Sequence, residues 1–124
     1  MTDQPGDSTL SEEGPSAFAR RVLALVDEVP RGTVVTYGDV ARMLGTRSPR
    51  SVGRVLSRWG DEVSWWRVVR ADGTPPPGHV AAALKRLVGE RVPMAPGRSA
   101  VDLDRARWKG ARRTQARRGR ARTS

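Results

Sequence analysis

The sequence predicts a mostly α-helical domain with short strands, a winged helix-turn-helix. Three observations predict it. Two short amphipathic segments, 38–44 and 49–58, flank a tight turn over Thr46 to Pro49. A longer helical period precedes them over 16–29. Two short extended pieces, 91–94 and 99–103, follow the last helix and can pair as a small hairpin, the wing.

Taken in order, residues 1–14 are polar and rich in Gly, Pro, Ser and acids, and read as a disordered lead. Ser16 can cap the first helix, where Phe18, Val22, Leu25, Val26 and Val29 share one face. Pro30 and Gly32 stop it. Thr33 to Thr36 is β-branched and short, a strand or extended lead-in. The next helix turns Val40, Ala41 and Leu44 inward and ends at Gly45; its partner turns Val52, Val55 and Leu56 inward. The apolar run Val63 to Val69 reads as a strand, closed by the Asp72-Gly73 turn signal. Pro75 to Gly78 forms a stiff loop. A helix resumes near His79 and runs to about Val88, with Gly89 as its cap. The folding domain is thus expected over 15–108, followed by a basic disordered tail over 109–124.

Composition narrows the function. The 124 residues carry 23 Lys and Arg against 13 Asp and Glu, a formal charge of +10. The lead holds Asp3, Asp7, Glu12 and Glu13 and no base, whereas the tail holds Lys109, Arg112, Arg113, Arg117, Arg118, Arg120 and Arg122 and no acid. What lies between is itself basic. This balance suits a polyanionic partner, most simply nucleic acid, although a solvated basic surface has the same composition. No cysteine is present, which excludes disulfides, thiolate metal sites and thiol nucleophiles in this chain. One histidine cannot make a His-based metal cluster. No metal and no cofactor are expected. No apolar run approaches the roughly 20 residues that span a bilayer, so no membrane role and a cytoplasmic, nucleoid-associated monomer are expected.

Candidate residues cluster on the second helix of the pair. Arg50, Arg54 and Arg58 are four apart and stack along one side. Gly53 lies near that side and allows close approach by a backbone or a base. Ser51 and Ser57 add hydroxyls suited to phosphate oxygens. In a strand, Trp65 and Trp66 point to opposite faces, so one is core and the other sits at a surface or pocket where it can stack on a base. Both can equally be packing residues. Tyr37, the one tyrosine, stands just before the first helix of the pair, and His79 reads as an ordinary helix-start residue. No carboxylate pair, Ser-His-Asp set or phosphate-cradling loop is evident.

Together these segments form a family pattern. Thr33 to Ala41 (Thr-Val-Val-Thr-Tyr-Gly-Asp-Val-Ala), Arg50 to Leu56 (Arg-Ser-Val-Gly-Arg-Val-Leu), Ser64 to Val69 (Ser-Trp-Trp-Arg-Val-Val) and Gly73 resemble, in order and approximate spacing, the DNA-binding domain of alkylguanine-DNA alkyltransferases. The likeness covers about 16–108. It implies a winged helix-turn-helix that binds the minor groove and flips a damaged guanine into a pocket. By the resemblance, Tyr37 matches the tyrosine that crowds the target phosphate, and Arg50 the finger that fills the vacated stack. Gly53 matches a small residue that admits the recognition helix. Arg67 and Val68 match the end of the Pro-Cys-His-Arg-Val motif. The lesion pocket is expected from Trp65, Arg67, Val68 and Gly73, and the DNA contacts from Tyr37, Arg50, Ser51, Gly53, Arg54 and Arg58.

The departures decide the expected activity. Ser64, Trp65 and Trp66 stand where the family has its proline, cysteine and histidine. Alkyl transfer needs a thiolate and a base to make it, and this chain has neither at those positions. Trp59 stands where an asparagine is usual, and Arg54 is bulkier than the family pattern. The sequence therefore resembles the alkyltransferase-like subfamily, in which tryptophan commonly replaces the cysteine. That resemblance implies a non-enzymatic protein that binds double-stranded DNA carrying O6-alkylguanine and signals to nucleotide excision repair proteins. The alternative is a winged-helix nucleic-acid-binding protein without lesion preference, its pocket filled by Trp65 and Trp66.

Overall fold

The computed structural model describes residues 14–110. The acidic lead and nearly all of the basic tail lie outside the described residues. The first helix, α1 (Ala17–Glu28), begins where the Ser16 side chain accepts the Ala19 N–H at 3.1 Å. Strand β1 (Val35–Thr36) leads straight into α2 (Tyr37–Met43). Thr36 and Asp39 close a reciprocal capping box at that junction, each side chain accepting the other's backbone N–H at 3.0 Å. Gly45 then takes φ +78°, its N–H bonding the Arg42 carbonyl, and so turns the chain out of α2. Helix α3 (Pro49–Trp59) starts at Ser48 with proline in its first turn.

The expected helix pair is thus present, and α1 packs across α3. Val22, Val26, Val29, Val40, Ala41 and Val52 fill their shared core together with Val35 and Val68. Burying a valine of this kind contributes about 1.5–3 kcal/mol, so the short helices are held by packing more than by propensity.

The run 63–69 is not one strand. A 3-10 turn, Gly60–Glu62, follows α3, and a second, Trp65–Arg67, precedes β2 (Val68–Val69). Strand β2 pairs in parallel with β1, Val35 opposite Val68 and Thr36 opposite Val69. Helix α4 (Val80–Gly89) ends one residue later than expected; Gly89 is helical, and Arg91 instead adopts the left-handed conformation at φ +63°. The expected hairpin is present as an antiparallel bridge between Met94 and Val101, flanked by bonds from Ala95 to Ala100 and from Asp102 to Pro93. A short α5 (Leu103–Ala106) returns the chain beside β1, where Val34 bridges Arg107. Val34, Val69, Leu87, Val92, Val101 and Ala106 form a second core under the hairpin. Among the described residues, no helix is long and apolar enough to cross a membrane.

Candidate nucleic-acid interface

A cleft of about 820 Å³ opens between α3 and the segment 70–79. Helix α3 supplies Arg50, Gly53, Arg54, Leu56 and Ser57, and Tyr37 from the start of α2 stands beside them. Tyr37 is half-buried, and a side chain added at Gly53 would meet its ring at 3.9 Å. Burial pushes its phenol above the ordinary value of 10.0, with the nearby Arg70 guanidinium partly offsetting it. The hydroxyl therefore stays protonated at neutral pH and can donate.

Trp65 forms the inner wall. The 3-10 turn rotates successive side chains by about 120° rather than 180°, yet it still separates the two indoles. Trp65 faces the cleft, edge-on to His79 with ring centroids 5.6 Å apart. Trp66 crosses Trp65 at 88° and turns to the second core. Its Nε1 donates to Glu90 at 2.8 Å, and the Arg86 guanidinium lies 4.3 Å above its ring.

Three residues expected to line the pocket, Arg67, Val68 and Gly73, are not in the lining of this cleft. Arg67 turns inward and donates Nε and Nη2 to the two oxygens of Glu90 at 2.9 and 2.7 Å, and Nη1 to the Val29 carbonyl. The Gly32 N–H completes the ring of donors to Glu90. Burial alone would raise the Glu90 carboxyl; the bonds from Arg67, Trp66 and Gly32 outweigh it and hold the group below its ordinary value. Val68 is fully buried in the central strand pair. Gly73, at φ +87°, carries the turn after β2, and a side chain there would collide with the Val101 carbonyl.

Two residues of the expected DNA face also lie outside the cleft lining. Ser51 bonds Ser48 at the start of α3, through both its hydroxyl and its N–H. Arg58 stacks over Trp59 at 5.2 Å. The proline loop, expected over Gly73 to Gly78 to wall the pocket with Trp65, contributes Pro76 and Pro77, and Asp61, Arg70 and His79 line the cleft without having been singled out as site residues. Arg70 and His79 come to the cleft from the far side of α3, which no local pattern announces. His79 carries a single weak signal, its place after the proline loop.

Among the described residues no group of three or more His, Cys, Asp or Glu is placed to hold a metal. Arg50, Arg54 and Arg70 form no ion pair among the described residues, so the cleft presents open guanidinium groups. An arginine-rich rim over an aromatic wall suits a phosphate backbone and a base face at once.

The family model of the 6-O-methylguanine DNA methyltransferase DNA-binding domain matches residues 17–92. A DNA base-flipping protein of Escherichia coli (strain K12) is 40% identical over 103 residues, spanning 77% of this chain and 78% of that protein. A methylated-DNA–protein-cysteine methyltransferase of Methanopyrus kandleri is 54% identical over 60 residues, 47% of this chain and 45% of its own length. Among solved structures, S. pombe Atl1 in complex with damaged DNA containing O6-carboxymethylguanine matches with a TM-score of 0.65 at 29% identity. That match covers 74% of this chain and 94% of the other.

Proposed function

This chain belongs to the family of the 6-O-methylguanine DNA methyltransferase DNA-binding domain, and from that premise we propose that it is a non-enzymatic sensor of O6-alkylguanine in double-stranded DNA. The observation that carries the reading is the identity and place of Trp65. It walls the cleft at the position that aligns with the family's cysteine, and the chain contains no cysteine to accept an alkyl group. The similarity to the E. coli base-flipping protein and to S. pombe Atl1 on damaged DNA supports the same reading.

Each cleft residue then has a task. Arg50 enters the duplex and occupies the space of the displaced base, which offsets part of the few kcal/mol of unstacking. Tyr37 crowds the target phosphate and turns the nucleotide outward. Arg54 holds phosphate, Gly53 admits the groove, and Trp65 offers its face to the extruded purine. Arg58 and Ser51 act at the flanks, on phosphates beyond the target. The protein works as a monomer in the cytoplasm, bound to the nucleoid. It marks the lesion for nucleotide excision repair proteins.

The test is a binding titration at one fixed salt concentration on two duplexes that differ by one O6-methylguanine. Tighter binding to the modified duplex is expected. Equal binding overturns the sensor and leaves a winged-helix binder whose cleft is closed to bases by Trp65 and His79, whose rings stand edge-on with centroids 5.6 Å apart.

A further inference from the structure

Arg50, Arg54 and Arg70 line the cleft, and one carboxylate, Asp61, lines it with them among the described residues. A carboxylate is repelled by phosphate, and it weakens attraction to any polyanion. Three other carboxylates have protein partners: Asp39 bonds Thr36, Arg42 and Arg107, Glu90 bonds Arg67 and Trp66, and Asp72 accepts from Thr74; Glu62, next to Asp61 in the turn, does not line the cleft. Asp61 has no ion pair among the described residues and is exposed. Its backbone is nonetheless held. It sits in the 3-10 turn Gly60–Glu62, whose buried Gly60 packs beside Leu56 and the Trp65 Cβ. The turn thus places an acceptor without an ion-pair partner among the described residues in the same cleft lining as Trp65.

We propose that Asp61 reads the identity of the extrahelical base, accepting the 2-amino N–H of a guanine that lies against Trp65. This rests on the sensor reading and specifies its substrate class. Phosphates offer acceptors and the cleft's arginines take them; the donors of DNA are on the bases. Alkylation at O6 removes the N1 hydrogen of guanine, which leaves the 2-amino group as the base's N–H donor. Alkylation at O4 of thymine removes the N3 hydrogen and leaves no N–H donor at all. A carboxylate at the cleft wall therefore accepts O6-alkylguanine and rejects O4-alkylthymine. The rejection arises because a carboxylate covered by a base that cannot donate loses its water without a substitute. Sites that hydrogen-bond a substrate group discriminate most strongly in this direction.

The test uses the full chain at fixed salt on four duplexes: unmodified, O6-methylguanine, O6-methylhypoxanthine (the same base without the 2-amino group) and O4-methylthymine. Wild-type protein is expected to bind O6-methylguanine about tenfold tighter than O6-methylhypoxanthine, the size of a hydrogen bond to a charged group. Asp61→Ala brings that ratio close to one and raises affinity for O4-methylthymine relative to O6-methylguanine. Asp61→Asn, which keeps an acceptor oxygen, retains part of the ratio. A wild-type ratio of one, or a ratio unchanged in Asp61→Ala, overturns the proposal. A common change on all four duplexes in Asp61→Ala, with the ratio intact, shows a general charge effect and overturns it equally. The sensor reading stands or falls separately, on the wild-type comparison of O6-methylguanine with the unmodified duplex.

Discussion

Arginine plays opposite parts on the two sides of residues 65–67. Behind the turn, Arg67 is nearly buried, with 12% of its side chain exposed, and is bonded in full to Glu90 and the Val29 carbonyl. In front of it, Arg50, Arg54 and Arg70 face the cleft without an ion-pair partner among the described residues. The same pattern divides the tryptophans: Trp66 satisfies its N–H on Glu90, whereas Trp65 shows its ring to the cleft. Residues whose polar groups are satisfied inside the protein hold the fold, and those left open are available to a ligand.

The largest effect tests the closed side. Glu90→Ala leaves the Arg67 guanidinium and the Trp66 N–H without their acceptor in a buried setting. We expect a loss of about 3–5 kcal/mol in urea unfolding, typical when one partner of a buried pair is removed. Replacing both partners by apolar residues, Arg67→Met with Glu90→Leu, is expected to recover much of it. If Glu90→Ala costs less than about 1 kcal/mol, the hub is an ordinary surface contact and the contrast fails.

The open side predicts the converse. Arg50→Ala is expected to leave unfolding stability within about 0.5 kcal/mol, as for an exposed residue without partners. It is expected to weaken binding to an O6-methylguanine duplex by about 2 kcal/mol, roughly thirtyfold, and to weaken plain duplex binding much less. Equal losses on the two duplexes would make Arg50 a phosphate contact alone.

This division was only half legible in the sequence. The helix pair, the Ser16 cap and the hairpin follow from local chemistry: apolar spacing, small capping side chains and turn residues. Trp65 and Trp66 were placed on opposite sides for the wrong backbone reason. A strand and a 3-10 turn both separate neighbours, but the turn also aims Arg67 inward at Glu90, 23 residues away in sequence. Nothing local in Arg67 distinguishes a buried pair from a pocket residue, because the partner lies at the end of α4. Asp61 and Arg70 carry no local signal either, since the cleft that they share brings together residues from separate segments of the chain. Gly89 looked like a helix cap, yet the left-handed residue is Arg91, because the helix runs on until Glu90 can reach Arg67.

A smaller effect follows from acid. Glu90 and Asp39 both sit below their ordinary values of 4.5 and 3.8, Asp39 because bonds from Thr36, Arg42 and Arg107 outweigh its burial. A depressed folded-state value means that the stabilisation is complete above the unfolded value and is lost as pH falls through the folded one. The contribution of these two groups should be constant from pH 7 to 5 and decline from about pH 4.5 downward. Glu90→Gln, measured by urea unfolding across that range, is expected to flatten part of the decline. An unchanged slope would assign the acid sensitivity to other carboxylates.

Gly53 gives the smallest change and the sharpest separation of the two sides, because fold and binding should move in opposite directions. It lies inside α3, where glycine costs about 0.5–1 kcal/mol relative to alanine. A side chain there would meet the Tyr37 ring at 3.9 Å, an ordinary contact, and its φ is not in the left-handed region. Nothing in the fold therefore opposes Gly53→Ala, and stability should rise by about 0.5–1 kcal/mol. The new methyl projects into the cleft beside Arg50, where the duplex must approach. Affinity for DNA should fall, by about 0.5–1 kcal/mol or roughly two- to fivefold, for modified and unmodified duplexes alike. A variant that is more stable and binds as well would show that α3 stands off from the groove at residue 53. Arg50 would then have to reach the base from a more distant helix.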